Sequence, residues 1–537
     1  MAAQVHNFQK RAVVSSFIFQ FPNGPSEKPL VALFKRSDKV STYRHRIAPI
    51  SGSISRKDKN PLTAAWREIS EETKLTPSTL AFWRTGKPFS FVDESVGREW
   101  TIHAFAFRLK ASAEGEEGEN AIETDWEHEG WQWYDPSAVI HDEIFESSGV
   151  PHLRESLRRV WFEGEMNERT GKGLGAALEK LHYDHESGSH ELTAIALKAF
   201  RDFVIQSQDG MNNASWWEDL RMAAWHLVKN GRESMGAATL NALLVILEEM
   251  DEIWRLDSIP QDKLERMLTI IDHHLKGRNS RAALVTKTFA SYVQSNFLSE
   301  GNQREKLTLL TLSASSTIRD SVVEAYASLD IPTLELRILE SRPLFEGVSI
   351  SSSILSNFQS QFQNMPNKNL VINIYTDAAA ALAAKDVDIV LLGADRISRS
   401  KGVSNKIGSL PLALSVKHVT PTAKVVVLSE LEKVNGENGI IDDQELEDND
   451  PTEVTRTWNA EAVKGADLVV GAAADSEKDR SASTVSVRNV YFEWVPLALV
   501  DAFVSGEGVL TDARIHEKAN QQEELASQYI DSIPVRY

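Results

Sequence analysis

Three carboxylates near the N-terminus have the spacing of a metal-binding helix face. Glu68, Glu71 and Glu72 stand at positions i, i+3 and i+4 of a segment with helical periodicity, residues 61–75. Side chains at this spacing share one face of a helix, where like charges repel one another. A bound divalent cation offsets that repulsion, and Mg²⁺ takes oxygen ligands and bridges to substrate phosphates. A solvated acidic helix face is the alternative interpretation.

A second candidate site follows an apolar run in the C-terminal half. Residues 389–392 lead into Gly393-Ala394-Asp395 and a basic loop, after which Asn405-Lys406 opens an apolar helical pattern. The pattern predicts a buried parallel strand, a loop at its carboxyl end and a helix that begins at the loop. Ligands bind at this edge of an open α/β sheet. An acid, Asn405, Lys406 and free backbone N–H groups there suit an anionic substrate that needs proton transfer. A strand-capping aspartate beside a surface loop is the alternative.

Three other segments carry groups suited to phosphate. Arg232 lies in a break before a helix, where an arginine holds phosphate well, although a surface-loop arginine fits the pattern too. Residues 312–317 place hydroxyl groups, including those of Ser315 and Ser316, at a strand–helix junction. Arg342 lies in the turn that follows the next predicted strand. These positions are candidate substrate-binding residues.

Composition limits the classes of function. The 537 residues predict two to four domains, and the net charge of −19 disfavours nonspecific binding to nucleic acid or anionic membrane. The absence of cysteine excludes disulfides, thiolate catalysis and cysteine metal sites. No apolar run approaches the roughly 18 residues of a membrane span, and the N-terminus lacks a signal-peptide core. We therefore expect a cytoplasmic protein whose partners do not include membrane or, directly, nucleic acid.

The elements that must position these residues follow from the periodicity of the chain. Strands are predicted at 12–21 and 29–34, with a turn at 22–24, and helices fill residues 174–299. An acidic, turn-rich stretch at 430–450 is predicted to be a disordered insertion or a long surface loop. Short apolar strands then alternate with helix-sized segments, which predicts a doubly wound parallel sheet. The predicted strands of that sheet are 307–312, 333–339, 370–375, 389–392, 424–428 and 468–471.

Residues 67–73, REISEET, resemble the core of the Nudix box, the helical motif of the Nudix hydrolases. The resemblance implies an α/β/α sandwich that uses Mg²⁺ or Mn²⁺ to cleave nucleoside diphosphates linked to another group. It further implies metal binding by Glu68, Glu71 and Glu72, and an Arg67 that orients a glutamate. The loop half of the motif departs from the pattern, because its usual glutamate falls on Lys59. Asp58 could replace that glutamate only if the loop carried an extra residue.

A second resemblance covers about residues 174–537 and rests on five motifs in register. It points to the superfamily that contains the alpha, beta and delta subunits of translation initiation factor 2B, methylthioribose-1-phosphate isomerase and ribose-1,5-bisphosphate isomerase. The resemblance implies a helical bundle that caps a Rossmann-like domain, and a homodimer or higher homo-oligomer formed through the C-terminal domain. The motifs are TLSASST, ESRPLFEG, GADRI, NKIG and VRNVYFEWVP.

In the isomerases of this superfamily a cysteine and an aspartate convert an aldose to a ketose. Asp395 matches the aspartate, Asn405 and Lys406 match ligand-binding positions, and Arg232 matches a phosphate-binding arginine. The cysteine position falls on Ser313, and serine is not a thiolate, so Ser313 cannot do the same acid–base work unaided. The glutamine of the family's RPxxQG turn is replaced by Glu346.

We therefore predict an α/β protein in which a Nudix-type sandwich, residues 1–163, precedes residues of the second superfamily. Residues 164–173 are predicted as a linker, 174–300 as the helical subdomain and 301–537 as the Rossmann-like domain with an acidic insertion near 430–458. The predicted function is metal-dependent hydrolysis of a nucleotide-linked compound joined to binding or isomerisation of a sugar phosphate. The alternative is a non-catalytic ligand sensor or a regulatory protein like initiation factor 2B, with initiation-factor subunits as partners.

Overall fold

A computed structural model describes most of the chain, and its sheets and helices confirm the predicted α/β class. Part of the turn predicted at 22–24 and part of the acidic stretch predicted at 430–450 lie outside the described residues. Those described are 8–22, 28–110, 122–298, 304–362, 365, 367–437, 439–441, 447, 449–477 and 485–536.

The N-terminal sheet is mixed and is covered on both faces. Its long strand β1 pairs antiparallel with β2 and β4 and parallel with β7. Alternate residues of β1 enter different cores: Phe17 and Phe19 pack on one face, and Val14 and Ile18 pack on the other against the helix that bears the carboxylates. The strands are β1 (Gln9–Gln20), β2 (Leu30–Arg36), β3 (Ile47–Ala48), β4 (Ile50–Ser53), β5 (Leu80–Thr85), β6 (Phe89–Asp93), β7 (Arg98–Leu109) and β8 (His128–Tyr134).

The acidic motif lies on a helix with clear start and stop signals. Helix α1 (Pro61–Thr73) begins after Asn60, whose side chain accepts a hydrogen bond from Thr63 N at 2.8 Å, and proline occupies its first turn. It ends at Lys74, which adopts the left-handed conformation. Three short helices cover the opposite face of the sheet: α2 (Pro136–His141), α3 (Ile144–Ser148) and α4 (Leu153–Val160).

The middle of the chain is a helical bundle, and its longest helix joins two cores. The early turns of that helix pack in the bundle core through Leu264, Met267 and Ile271, whereas Val285 and Phe289 enter the core beneath the C-terminal sheet. The bundle comprises α5 (Glu168–Tyr183), α6 (Ser189–Gln206), α7 (Ala214–Lys229), α8 (Ala237–Trp254) and α9 (Pro260–Phe297). Residues 164–173, predicted as a linker, are largely helical because α5 packs its apolar face into this core.

The C-terminal sheet has seven strands in the order β11-β10-β9-β12-β15-β18-β19, all parallel except the last pair. The chain adds strands on one side of β9 and then returns to add strands beyond β12. The junction of β9 and β12 is therefore the topological switch point, where open α/β sheets bind ligands. The strands are β9 (Lys306–Thr311), β10 (Thr333–Leu339), β11 (Asn369–Tyr375), β12 (Ile389–Leu392), β15 (Lys424–Leu428), β18 (Ala502–Ser505) and β19 (Gly508–Leu510).

A small second sheet rises from the carboxyl edge of the large one, in the order β16-β13-β14-β17. Its strands are β13 (Arg396–Ser398), β14 (Gly402–Lys406), β16 (Val434–Asn435) and β17 (Phe492–Val495). The helices of this half are α10 (Ser316–Ser328), α11 (Glu346–Gln361), α12 (Ala380–Ala383), α13 (Ser409–Val419), α14 (Thr452–Ala460), α15 (Ala466–Glu477) and α16 (Asp512–Ala526).

Three local predictions for this half are wrong. Asn405 and Lys406 lie on β14, not at a helix start, because β14 pairs with β17 and the helix begins only at Ser409. Residues 468–471 belong to helix α15, with Leu468 exposed, and the missing strand of the sheet is β18. The acidic stretch is not simply a loop, since it contains a 3₁₀ turn, Leu431–Lys433, and strand β16, both packed on the bundle.

The N-terminal domain docks on the bundle through polar pairs at the edge strand β5. Thr85 N donates to Asn230 Oδ1 at 2.8 Å, and Asn230 Nδ2 donates back to Thr85 O at 2.9 Å. Arg108 pairs with Glu179 at 2.5 Å, and Arg84 pairs with Glu163. The paired backbone groups of Thr85 use hydrogen-bonding capacity that an edge strand would otherwise leave open.

We expect Asn230→Ala to destabilise this junction. The alanine leaves the N–H and C=O of Thr85 without their partner, at a cost of about 2–3 kcal/mol. Thermal unfolding should show a lower Tm for the N-terminal domain. Asn213→Ala is the matched control, because Asn213 is exposed and makes no side-chain capping bond to α7. Equal Tm values for the two variants would contradict the proposed role of Asn230.

Candidate functional sites

The arginine of the acidic motif is held by the loop that precedes it. Arg67 Nε and Nη2 donate to the two carboxylate oxygens of Asp58, each at 3.0 Å. Arg67 Nη1 donates to Glu68 at 2.7 Å and to Glu71 at 3.3 Å. Asp58, the neighbour of Lys59, is thus the loop carboxylate that contacts Arg67. Arg67 in turn contacts the Glu68 side chain.

Glu68 occupies space that only a glycine leaves open. A Cβ atom on Gly52 would lie 1.9 Å from the carboxyl carbon of Glu68, so any larger residue would displace this side chain. Burial raises the pKa of Glu68, and the nearby Glu71 and Glu127 raise it further. The carboxyl group is thus held in a partly buried position beside like charges.

Glu72 is buried against a histidine that the sequence analysis did not identify. His128 Nε2, on β8, lies 2.6 Å from Glu72 Oε2. Burial, together with Glu127, Glu68 and Asp125, raises the pKa of Glu72 to about 9, and burial lowers the pKa of His128. At neutral pH a protonated Glu72 therefore donates to a neutral His128. The available signal was a histidine between the two acids of Trp126-Glu127-His128-Glu129.

The donor chemistry of this cluster suits a hard divalent cation. Beyond the effect of burial, Glu127 raises the pKa of both Glu68 and Glu72, and Glu68 also raises the pKa of Glu72. Within the described ranges, however, no three histidine or acidic side chains converge in a metal-binding arrangement. The reason is local: Glu68 turns to Arg67, Glu72 turns to His128, and the Glu71 side chain is 60% exposed. Glu129, next to His128 on β8, pairs with Lys35 at 2.7 Å and with His45 on the surface.

In the C-terminal half, Asp395 is half-buried at the carboxyl end of β12. Its backbone N–H donates to Ser404 O at 2.8 Å, which fixes the start of the small sheet. Burial of its carboxyl group raises the pKa of Asp395, while the charges of Lys433, Lys406 and Arg232 act in the opposite direction. Lys433 was not identified from the sequence; its Nζ donates to Ala394 O at 2.5 Å. A half-buried acid under the influence of three cations is suited to proton transfer on an anionic ligand.

Ser313 follows β9, on the other side of the switch point. It adopts the left-handed conformation, with φ of 70°, and its N–H donates to Ser341 Oγ at 2.7 Å. Its hydroxyl donates to Glu346 Oε2 at 2.9 Å, and the other oxygen of Glu346 lies 3.0 Å from Lys406 Nζ. Ser313, Glu346 and Lys406 therefore form a continuous polar chain across the mouth of the sheet.

The anion cradle predicted at the start of the following helix is already occupied. Glu493, on β17, accepts hydrogen bonds from Gly408 N at 2.6 Å and from Leu410 N at 3.1 Å. These are the N-terminal amides of α13, so they are not free for a substrate. Asn405 donates to Ser409 Oγ at 2.9 Å, and its side-chain oxygen lies near Gly393 at the tip of β12. The prediction of free amides at this position is wrong.

The predicted phosphate residues do not all face one point. Ser315 caps α10 by accepting from Ile318 N at 3.3 Å, and its hydroxyl lies against Gly393 as Asn405 does. Ser316 is the first residue of α10. Arg342 points elsewhere: its Nη2 donates to Thr457 Oγ1 at 2.8 Å, on α14.

Arg232 lines a cavity but is engaged by the acidic stretch. Its guanidinium donates to Asp184 O at 2.9 Å and to Glu447 Oε1 at 3.2 Å, and Ser234 also bonds Glu447. This stretch was predicted to be a disordered insertion or a long surface loop, so Glu447 was not among the predicted site residues. The cavity has a volume of about 1110 Å³ and opens between the N-terminal domain and the rest of the chain. Its walls include Lys59, Trp83, Lys87, His103, His185, Arg232, Arg396 and Glu447.

Comparison with known families identifies two regions. Residues 185–512 match the model of the initiation factor 2 subunit family, and residues 10–157 match the NUDIX domain. Both regions were expected from the sequence motifs. Within the part of the chain that the structure describes, no helix is long and apolar enough to cross a membrane.

Curated relatives align with about a third of the chain. The methylthioribose-1-phosphate isomerase of Botryotinia fuckeliana is 29% identical over 175 residues, which are 32% of this chain and 37% of that protein. A putative methylthioribose-1-phosphate isomerase of Methanothermobacter thermautotrophicus is 30% identical over 173 residues, 32% of this chain and 45% of that protein. The chain thus spans less than half the length of these relatives.

Solved structures of low identity match about two thirds of the chain. A translation initiation factor eIF-2B of Pyrococcus horikoshii matches with 18% identity and a TM-score of 0.44, over 65% of this chain and 99% of that one. The 5-methylthioribose 1-phosphate isomerase of the same organism matches with 18% identity and a TM-score of 0.41, over 66% and 88% of the two chains.

Proposed function

The chain belongs to the initiation factor 2 subunit family and carries a NUDIX domain before it, and from this premise we propose that it is an enzyme with two sites. The N-terminal site hydrolyses a nucleoside-diphosphate-linked compound with the help of Mg²⁺ or Mn²⁺. The C-terminal site binds a phosphorylated sugar and isomerises it from aldose to ketose. The proposal rests above all on Asp395, a half-buried acid with a raised pKa that is influenced by the charges of Lys406, Lys433 and Arg232 at the switch point of the sheet.

In the N-terminal site, Glu68, Glu71 and Glu72 would hold the metal ion. Mg²⁺, when bound, supplies positive charge to the diphosphate oxygens and to the attacking water. The protein supplies the rest: Arg67, anchored by Asp58, orients Glu68, and Gly52 leaves room for that carboxyl group. Glu72 must lose its proton to act as a ligand, and His128, 2.6 Å away, lies where it can accept that proton.

In the C-terminal site, cationic side chains would bind the phosphate groups and Asp395 would move a proton. Lys406 and Arg232 act on Asp395 electrostatically, which places both cations near the acid. A negatively charged substrate gains from these charges in a buried site, where electrostatic interactions are strong. Ser315 and Asn405 meet at Gly393, the tip of β12, and would add polar contacts to the sugar.

Because the two proposed sites belong to one chain, we propose that the product of the N-terminal reaction is a substrate of the C-terminal site. Hydrolysis of a nucleotide-linked, phosphorylated sugar releases a sugar phosphate, and a sugar phosphate is the substrate class proposed for the second site. To test both activities, the protein is incubated with Mg²⁺ and ADP-ribose-type compounds, and separately with methylthioribose 1-phosphate and ribose 1,5-bisphosphate. ³¹P NMR follows the products. We expect turnover in both incubations; no turnover in either would overturn the proposal.

A ligand sensor without catalysis is the second candidate function. It is favoured by the contact of Glu447 with Arg232 and by the resemblance, which puts Ser313 at the position of the isomerases' cysteine. A sensor would bind a nucleotide or sugar phosphate without converting it. Binding of a sugar phosphate in calorimetry, with no conversion in the NMR assay, would favour this function over the isomerase.

Glu447 should compete with phosphate for Arg232. We expect Glu447→Gln to bind methylthioribose 1-phosphate about tenfold more tightly, because one charged hydrogen bond to Arg232 is worth about 1.5 kcal/mol. Isothermal titration calorimetry measures the change. Glu437→Gln is the matched control, since Glu437 lines the same cavity and is exposed. An equal gain in both variants would show a general effect of charge instead of competition at Arg232.

The remaining partners are also proposals. We propose a cytoplasmic protein that forms a homodimer or a higher homo-oligomer through its C-terminal domain. A regulatory role like that of initiation factor 2B would require association with initiation-factor subunits. Light scattering tests the first proposal, and co-purification with those subunits from a cell lysate tests the second.

A further inference from the structure

Two carboxyl groups, not one, face the switch point of the C-terminal sheet. Glu346 is the first residue of α11, and its carboxylate lies between the hydroxyl of Ser313, at 2.9 Å, and Lys406 Nζ, at 3.0 Å. Burial of the Asp395 carboxyl group is the main cause of its raised pKa, and the charge of Glu346 adds to this while Lys406 opposes it. The two acids therefore interact electrostatically, and Lys406 interacts with both of them.

The geometry holds Glu346 as an oriented anion. Its position at the start of α11 favours negative charge, because a helix N-terminus is the positive end of the helix dipole. Lys406 gives it an ion pair, and the side chain of Lys406 is only 6% exposed. The Ser313 hydroxyl fixes the second oxygen, and the left-handed backbone of Ser313 is itself fixed by the bond from its N–H to Ser341 Oγ.

An aldose–ketose conversion needs two proton-transfer groups, and Ser313 is poorly suited to be one of them. A serine hydroxyl is a weak acid that needs an adjacent base before it can give up its proton. Here it donates that proton to a carboxylate, the kind of side chain that serves as a general base. Burial of the Asp395 carboxyl group raises its pKa, which favours its protonated form.

We infer that Glu346 is the second proton-transfer residue of this site and works opposite Asp395, with Ser313 as its positioning residue. This inference rests on the proposed isomerase function. For an aldose 1-phosphate, Glu346 takes the proton from C2, and the electron pair of that bond forms the C1–C2 double bond. The bond from C1 to the ring oxygen breaks as Asp395 protonates that oxygen.

The resulting enol then becomes the ketose. Asp395 takes back a proton from the C2 hydroxyl, the carbonyl forms at C2, and Glu346 returns its proton to C1. The hydrogen of C2 ends on C1, the ring oxygen has gained the hydroxyl proton, and both carboxyl groups recover their starting states. No oxidant, reductant or second substrate is required.

The test compares Glu346→Gln and Glu346→Ala with the full-length wild type. We expect Glu346→Gln to lower kcat for methylthioribose 1-phosphate or ribose 1,5-bisphosphate at least about 100-fold, the usual contribution of a general base. Affinity for the sugar phosphate should stay equal or improve, because a negative charge near the phosphate is lost. The matched control is Glu324→Gln, an exposed residue of α10, which should leave kcat unchanged.

Chemical rescue separates catalysis from structure. In Glu346→Ala, added formate should restore part of kcat, because a small carboxylate can occupy the vacated space, whereas chloride should not. A Glu346→Gln variant that keeps kcat within about threefold, or an alanine variant that formate does not rescue, overturns the inference while the isomerase function stands. A wild type that converts no aldose phosphate overturns the function and the inference together.

Discussion

Asp395→Asn is expected to lower kcat for aldose-phosphate isomerisation by about 1000-fold while leaving sugar-phosphate affinity within about threefold, as removal of a general acid does. Asparagine has nearly the same shape and keeps the backbone hydrogen bond to Ser404 O, so the fold should survive. NMR measures turnover, and calorimetry measures affinity. Asp386→Asn is the matched control: Asp386 is exposed, and its left-handed conformation tolerates asparagine.

The pH dependence of isomerase activity should show that the protonated form of Asp395 is required. Burial raises the pKa of Asp395, so the form that can donate a proton persists to higher pH than for an ordinary aspartate. Isomerase activity should therefore fall as pH rises through that raised pKa, and Asp395→Asn should lack this limb. Wild-type turnover that survives the substitution would exclude Asp395 as the acid. Loss of binding together with turnover would indicate a structural role.

Glu72→Gln should abolish Mg²⁺-dependent hydrolysis while preserving, or even raising, stability. The pKa of Glu72 is raised to about 9, so at pH 7 the side chain is neutral and glutamine mimics its protonated form against His128. Glutamine cannot ionise to bind a metal ion, and we expect hydrolysis to fall at least about 100-fold. Glu129→Gln is the matched control, because Glu129 follows His128 on β8 but pairs with Lys35 on the surface.

The raised pKa of Glu72 also determines how the stability of the folded state changes with pH. A carboxyl group whose pKa is raised by folding stabilises the folded state fully below its unfolded pKa, near 4.3, and loses that contribution as pH rises to about 9. Without metal, the Tm of wild type should therefore fall relative to the Tm of Glu72→Gln as pH rises from roughly 5 to 9, the interval between those two pKa values. The two Tm values should converge near pH 4, a little below the unfolded pKa. A difference that grows toward low pH would contradict this assignment.

With Mg²⁺ present, wild type should become more stable than Glu72→Gln. Metal binding requires ionised Glu72, so Mg²⁺ raises the Tm of wild type and should do so more strongly as pH approaches 9. Glu72→Gln should show no such gain, and Glu129→Gln should behave as wild type does. Equal Mg²⁺ stabilisation of all three proteins would place the ion elsewhere.

Much of the architecture could be read from the sequence because it depends on local pattern. The strand at 389–392 is a run of four fully buried residues, and the helix at 61–73 carries proline and a capping asparagine at its start. Short sequence motifs were sufficient to identify both family regions. An error arose where packing overrode the local pattern: residues 468–471 look like a strand but form helix α15.

Side-chain partners were the least predictable feature. The pairing of Asp58 with Arg67 depends on the path of a loop, and the closeness of His128 to Glu72 depends on how β8 crosses the sheet. Glu493 and Glu447 reach their sites from segments distant in sequence. Nothing in the local pattern marks these acids as neighbours of a helix start or of Arg232.

By itself, therefore, the sequence determined which chemical groups are available: three glutamates on one helix, a buried-strand aspartate, and serine without any cysteine in the chain. Periodicity and motif spacing are short-range properties, so they fix these choices. Only the tertiary structure decided how the groups are paired, because contacts such as Ser313–Glu346–Lys406 join residues from separate strands and helices. Charge state follows from those contacts and from burial, so the protonated Glu72 and the enclosed Asp395 emerge only once the chain has folded.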